Sequence, residues 1–99
     1  MNNYLVKRFV KDPNMVFRQI DDEMILVPIR RNVADLESIY TLNPLAARIW
    51  ELIDGKRKIK DIKNVILQEY EVNEEKAEKD LLEFLTQLEE IKAVAASNA

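Results

Sequence analysis

The spacing of apolar residues changes from a strand period to a helix period at about residue 43 of this 99-residue chain. Before that point, β-branched and aromatic runs alternate with polar breaks of hairpin length, a pattern typical of antiparallel strands. The breaks are Asp21-Asp22 and Arg30-Arg31-Asn32. Because Pro28 has no N–H to donate, we expect it at a terminal or outward-facing position of the second strand. The runs predict a three-stranded meander over residues 15–20, 24–29 and 36–42.

After residue 43 the apolar residues recur at helical spacing in three segments. Asn43-Pro44 supplies an N-cap and a proline at the first helical position, and Asp54-Gly55 ends this first helix. A second helix is predicted from Ile59 to about Glu71, and a third begins after Asn73. The pattern therefore predicts an α+β, winged-helix-type domain in which a three-stranded antiparallel sheet is followed by three helices. The predicted buried stripe of the third helix contains Ala77, Leu81, Phe84, Leu88 and Ile91.

The two ends of the chain lie outside this pattern, so the predicted domain covers residues 15–92. Residues 1–14 form an N-terminal arm whose apolar part, Tyr4 to Val10, is cut off by Asp12-Pro13-Asn14. This arm is predicted to form a short extra strand, or to pack on the body or on a neighbouring chain. In the last case the chain forms a homodimer by exchange of the arm. The small and polar tail, residues 93–99, is predicted to fray.

Composition disfavours several classes of function. The chain has no Cys and no His, which removes thiol nucleophiles, soft-metal ligands and imidazole acid–base chemistry. Adjacent carboxylates such as Glu74-Glu75 are interpreted as solvated, so neither catalysis nor a metal site is expected. A net charge of −3 argues against a main role in binding phosphate backbones. No signal peptide or membrane span is found, and we expect a cytoplasmic protein without a membrane partner.

Several short runs carry a resemblance to a known family across residues 16 to 92. The most specific of them are Tyr40-Thr41-Leu42-Asn43-Pro44 and Ile49-Trp50-Glu51-Leu52-Ile53-Asp54-Gly55. Together they predict an edge strand, then a helix with an N-cap, and then a glycine that ends this helix. In these runs the chain closely resembles the PqqD family of small peptide chaperones, also called RiPP recognition elements.

The resemblance implies a binding protein that has no catalytic activity and no cofactor. Members bind the leader segment of a ribosomally made precursor peptide and present it to a modifying enzyme, often a radical S-adenosylmethionine (radical SAM) enzyme. The leader typically adds as a strand to the third strand of the sheet, and the third helix forms the other wall of the groove. Strand addition suits an exposed sheet edge, whose unpaired N–H and C=O groups accept an extended peptide.

The third strand offers the first set of candidate peptide-binding residues. Successive side chains of a strand point to opposite faces, so Tyr40 and Leu42 share one face and Ile39 and Thr41 share the other. One interpretation is a core-facing strand whose acidic residues prevent edge aggregation, and the other is a binding edge. The candidates here are Asp35, Leu36, Glu37, Ser38, Ile39 and Tyr40.

One flank of the third helix offers the second set of candidates. Leu82 lies well over about 100° from the centre of the buried stripe, and Leu85 lies between the two. Glu78 and Glu89 share this flank at helical spacing. An exposed leucine alone needs no function, but an apolar strip edged by acids would suit a leader that carries Lys or Arg near its apolar anchors. The candidates are Glu78, Leu82, Leu85 and Glu89.

A basic cluster supports the main alternative, a winged-helix DNA-binding transcriptional regulator. The cluster also fits a solvated face or a docking patch for an acidic surface of the partner enzyme. The acids of the third helix, which would enter the groove of a duplex, would repel DNA, so nucleic acid is not the expected partner. The cluster consists of Arg30, Arg31, Lys56, Arg57, Lys58, Lys60 and Lys63.

Overall fold

The computed structural model describes residues 3–29 and 39–97. This described part begins with a 3₁₀ turn, η1 (Asn3–Val6), and ends with a short strand. The strands between them precede three helices, and this confirms the predicted α+β, winged-helix-type class. The strands are β1 (Arg8–Lys11), β2 (Met15–Ile20), β3 (Glu23–Pro28), β4 (Tyr40–Leu42) and β5 (Val94–Ser97), and the helices are α1 (Pro44–Leu52), α2 (Ile59–Glu69) and α3 (Glu74–Glu90).

The main sheet is the predicted antiparallel meander, with the strand order β2-β3-β4. Ile20 pairs with Glu23 around a two-residue turn in which Asp21 has a φ of 54°, a left-handed conformation that Asp tolerates. Pro28 is the last residue of β3, a terminal position as predicted. The described part of the third strand covers only Tyr40–Leu42, and Arg30–Ser38 lie outside the described residues.

The helices begin where their capping residues predict. The Asn43 side chain accepts a hydrogen bond from the Ala46 N–H at 2.8 Å, and Asn73 accepts one from the Lys76 N–H at 2.7 Å. After α1, Gly55 has a φ of 78°, and a Cβ at this position would lie 2.8 Å from Val10 Cγ1. Glycine is therefore needed here both for the turn and for the close approach of β1.

Both ends of the chain pack on the domain, and the prediction that the tail frays needs correction. β1 and β5 form a second, two-stranded antiparallel sheet, in register from Arg8↔Ser97 to Lys11↔Val94. The tail therefore does not fray over residues 94–97, because Val94 is 5% exposed and its strand is paired. The arm forms the extra strand and packs on its own domain, where Phe9 is 1% exposed. This removes the premise of the arm-exchanged homodimer.

The core lies between the inner face of the main sheet and the three helices. Leu26 of β3 and Leu42 of β4 enter it from the sheet, and Trp50 of α1 is 4% exposed. Within the part of the chain that the structure describes, no helix is long and apolar enough to cross a membrane. The largest fully buried side chains are Phe9, Leu26, Ile53, Ile59, Ile62, Leu81, Leu85 and Leu88.

Candidate functional site

Within residues 3–29 and 39–97, β4 has one unpaired edge. It is the last strand in the order β2-β3-β4, and among the described residues it pairs only with β3. Tyr40 is half-buried, Thr41 is exposed and Leu42 is buried, so the alternation predicted for this strand is confirmed over these residues. Ile39, directly before the strand, is 47% exposed. The free N–H and C=O groups of such an edge can pair with an added strand.

A groove of about 320 Å³ runs beside this edge, between β4, the start of α1 and one face of α3. Its apolar surface comes from both helices, because Leu45 and Ile49 belong to α1 and Phe84 belongs to α3. The full lining is Tyr40, Thr41, Asn43, Leu45, Ala46, Ile49, Asp80, Glu83, Phe84 and Gln87.

Tyr40 connects the strand to the far wall of the groove. Its hydroxyl donates a hydrogen bond to Gln87 Oε1 of α3. Its ring lies 6.3 Å from the Phe84 ring, centroid to centroid, with a tilt of 43°, an arrangement favourable for aromatic pairs. Burial raises the pKa of the Tyr40 hydroxyl above its usual value, so this group stays a neutral donor at physiological pH. The two walls are thus held together by one aromatic residue of the edge strand.

The rim of the groove is polar and acidic. Asp80 forms an exposed ion pair with Lys76 at 3.4 Å, and Glu83 and Gln87 are exposed about one and two turns further along α3. Exposed pairs of this kind are weak, so the Asp80 carboxylate stays available to a ligand. The lining therefore offers apolar contact, hydrogen-bonding groups and negative charge beside a free strand edge, which are the groups that recognise an extended peptide.

The structure does not bring the predicted residues of α3 to this groove. Glu78 accepts a hydrogen bond from Lys63 of α2 at 3.2 Å, and Glu89 accepts one from the Tyr4 hydroxyl of η1 at 2.5 Å. Leu85 is fully buried, and Leu82 is half-buried against the core. At about 100° per residue, this stripe lies roughly 180° from the one that lines the groove. The flank that carries Leu82 instead packs toward α2 and η1.

The predicted strand residues have separate outcomes. The structure places Tyr40 in the groove and Ile39 beside the free edge. Asp35, Leu36, Glu37 and Ser38 lie outside the described residues. Four groove residues of α3 were not among the sequence candidates. Phe84 was assigned to the core alone, although it is both buried and part of the groove wall, and its polar neighbours give no signal of their own. They are Asp80, Glu83 and Gln87.

Comparison with known proteins agrees with the winged-helix-type geometry. A solved structure described as "Lasso peptide synthetase B1 complexed with the leader peptide" superposes with a TM-score of 0.73 and 26% sequence identity, over 89% of this chain and 98% of that chain. A second, "TbiB1 in Complex with the TbiA(beta) Leader Peptide", gives a TM-score of 0.70 and 26% identity, over 86% of this chain and 93% of that chain.

Sequence comparison identifies the family directly. No curated protein matches the chain at a significant level. The family described as Coenzyme PQQ synthesis protein D (PqqD) matches residues 23–94, which include the free edge strand and all three helices. The chain therefore belongs to the PqqD family.

Proposed function

We propose that this protein is a non-catalytic adaptor that binds the leader segment of a ribosomally made precursor peptide and presents it to a modifying enzyme. The observation that carries this proposal is the edge of β4, unpaired among the described residues, beside a groove whose lining includes Leu45, Ile49 and Phe84. An extended leader adds to β4 as the next strand of the sheet. The modifying enzyme is of the type that PqqD-like chaperones serve, often a radical SAM enzyme, and the complex forms in the cytoplasm.

The chemistry of the edge supports strand addition. Main-chain pairing supplies affinity for any extended peptide, and pockets for alternate side chains supply selectivity. One set of leader side chains lies over the groove, against Leu45 and Phe84, and the next set lies on the outer face beside Ile39. The two structural relatives are complexes with leader peptides, and this supports the same class of ligand for this chain.

The proposed peptide-binding site differs from the sequence prediction on one wall. The strand side keeps Ile39 and Tyr40, with Asp35–Ser38 as the predicted continuation of the edge. On α3 the groove-lining face replaces the flank that carries Leu82. The residues of this face are Asp80, Glu83, Phe84 and Gln87.

Titration calorimetry with the leader of the precursor encoded beside this gene tests the proposal. We expect a dissociation constant of about 10 nM to 10 μM for the leader, and no comparable binding of the core segment that follows it. Binding of neither segment, or equal binding of both, contradicts the proposal.

A groove-filling substitution tests the location of the site. Ala46 lines the groove from the first turn of α1, so Ala46→Phe places a ring where the leader would lie. We expect leader affinity to fall at least about tenfold, which is ~1.4 kcal/mol, without loss of the fold. Gln68→Phe is the matched control, because Gln68 is exposed on α2 and does not line the groove. Equal leader affinity of the two variants would place the peptide elsewhere.

A further inference from the structure

The fold brings two basic runs that are far apart in the sequence to one corner of the molecule. The Ile59 N–H donates to the Lys7 carbonyl oxygen at 3.0 Å, and Arg8 Nε donates to the Lys56 carbonyl oxygen at 3.0 Å. Arg8 also pairs with Lys58 through an isolated antiparallel bridge. We call this surface the basic corner, and it consists of Lys7, Arg8, Lys56, Arg57, Lys58 and Lys60.

The backbone of the basic corner is held in place by Asp54. One oxygen of this carboxylate accepts hydrogen bonds from the N–H groups of Lys56, at 2.9 Å, and Arg57, at 2.8 Å. The other oxygen accepts one from the Arg57 guanidinium at 2.9 Å. These donors lower the pKa of Asp54, so it is ionised at neutral pH. The basic side chains therefore extend from an ordered loop, which lowers the entropy lost when a partner binds.

The charge of the basic corner is opposite to that of the chain as a whole. The six cations of the basic corner have two neighbouring carboxylates, Asp54 in the loop and Asp61 in the first turn of α2, whereas the chain has a net charge of −3. Both carboxylates are already used, since Asp61 accepts a hydrogen bond from the Lys58 N–H at 3.0 Å. Lys56 and Lys60 are exposed and form no ion pair within the part of the chain that the structure describes. The excess positive charge is therefore available to a partner.

The basic corner lies at the opposite end of α1 from the groove. The first turn of α1 lines the groove, and its last turn leads into the Asp54 loop. A helix of nine residues is about 13 Å long. None of the six basic residues lines the groove. A ligand at one site therefore leaves the other open, as an adaptor with two partners requires.

We infer that the basic corner is a docking surface for an acidic patch on the modifying enzyme, which it holds while the leader occupies the groove. This inference rests on the proposed adaptor function. A compact patch of like charge on a rigid loop steers a partner of opposite charge and fixes its orientation. The net negative charge of the molecule opposes the binding of a nucleic acid at this surface.

Charge reversal tests the surface. We compare Lys56→Glu/Lys60→Glu with the control Arg18→Glu/Lys79→Glu, which changes the net charge equally at exposed positions outside the corner. Biolayer interferometry measures binding of each protein, with leader present, to the purified modifying enzyme encoded beside the precursor gene. We expect the corner variant to lose at least about tenfold in affinity and the control less than about twofold. The affinity of the wild-type protein for the enzyme should decrease as the NaCl concentration is raised from about 50 to about 300 mM.

Separate titrations with the leader alone distinguish this inference from the proposed function. Retained leader affinity in both variants, with loss of enzyme affinity only in the corner variant, supports the docking surface. Equal enzyme affinity of the corner variant and wild type overturns it, as does an equal loss in the control. Tighter binding of wild type to a random 20-bp duplex than to the enzyme overturns it in favour of nucleic acid. If wild type fails to bind the leader, the adaptor function fails instead.

Discussion

At the residue scale, α3 contains two neighbouring leucines with different surroundings. Leu81 is 1% exposed within the core, whereas Leu82 is half-buried on the flank that packs toward α2 and η1. The same substitution at the two positions therefore separates a core role, a flank role and a role in the groove.

We expect Leu81→Lys to destabilise the domain by about 3 kcal/mol or more, because it buries an unpaired charge. We expect Leu82→Lys to cost about 1 kcal/mol, since its ammonium group can reach solvent, and to leave leader affinity unchanged. Urea denaturation followed by Trp50 fluorescence and leader calorimetry measure both quantities. A large loss of leader affinity in a folded Leu82→Lys protein would restore the flank first predicted from the sequence.

The difference between the predicted flank of α3 and the face that lines the groove has a physical reason. Helical periodicity identifies the core stripe, and Leu81, Phe84 and Leu88 are indeed buried. The stripe has two sides, however, and periodicity alone does not say which side faces β4. Leu82, an apolar residue off the stripe, favours the side that lies away from the groove. The groove side carries polar residues that look like any solvated helix face.

At the element scale, the local signals of the sequence were strong where elements are continuous in the chain. The capping residues Asn43 and Asn73 and the Asp21-Asp22 turn mark element ends that the structure reproduces. The β1–β5 sheet gave no such signal. Its second strand, VAAS, is short and shows no alternation of apolar and polar residues. Its partner strand lies more than 80 residues away in the sequence. Pairing of this kind depends on tertiary packing rather than on local propensity.

The β1–β5 sheet is also expected to stabilise the domain. Removal of residues 94–99 exposes Phe9 and deletes Val94, which is 5% exposed. We expect a loss of about 2 kcal/mol or more, the scale of burying one such side chain. Removal of residues 98–99 alone is the control and should change the stability little. Urea denaturation compares the three proteins, and equal midpoints would show that β5 adds nothing to stability.

At the scale of the whole molecule, stability should depend on pH mainly in acid. Arg48 binds both oxygens of Glu69, at 2.8 and 2.7 Å, and lowers the pKa of Glu69, as backbone N–H donors lower that of Asp54. A carboxyl group whose pKa is lowered in the folded protein stabilises the fold at pH values above its ordinary pKa. This stabilisation is lost as the pH falls through the lowered pKa. The ordinary values are 4.5 for Glu and 3.8 for Asp.

We therefore expect the free energy of unfolding to decrease as pH falls below about 4.5. It should stay nearly constant from about pH 5.5 to 7.5, because the chain has no histidine. Urea denaturation at pH 7, 5.5 and 3 measures this dependence. The Asp54→Ala variant should show a smaller decrease in acid than wild type, and an equal decrease would remove Asp54 from the explanation.

The pairing of β1 with β5 brings the first and last strands of the described chain together. Arg8 and Ser97 are register partners, so the first and last strands lie side by side, and neither lines the groove. A short linker could join these two points, and new termini could then open at the exposed Asp21-Asp22 turn. Such circular permutation keeps every strand pair of the two sheets. The groove beside β4 can therefore be inserted into a fused polypeptide through a connection at the Asp21-Asp22 turn, far along the chain from its present ends.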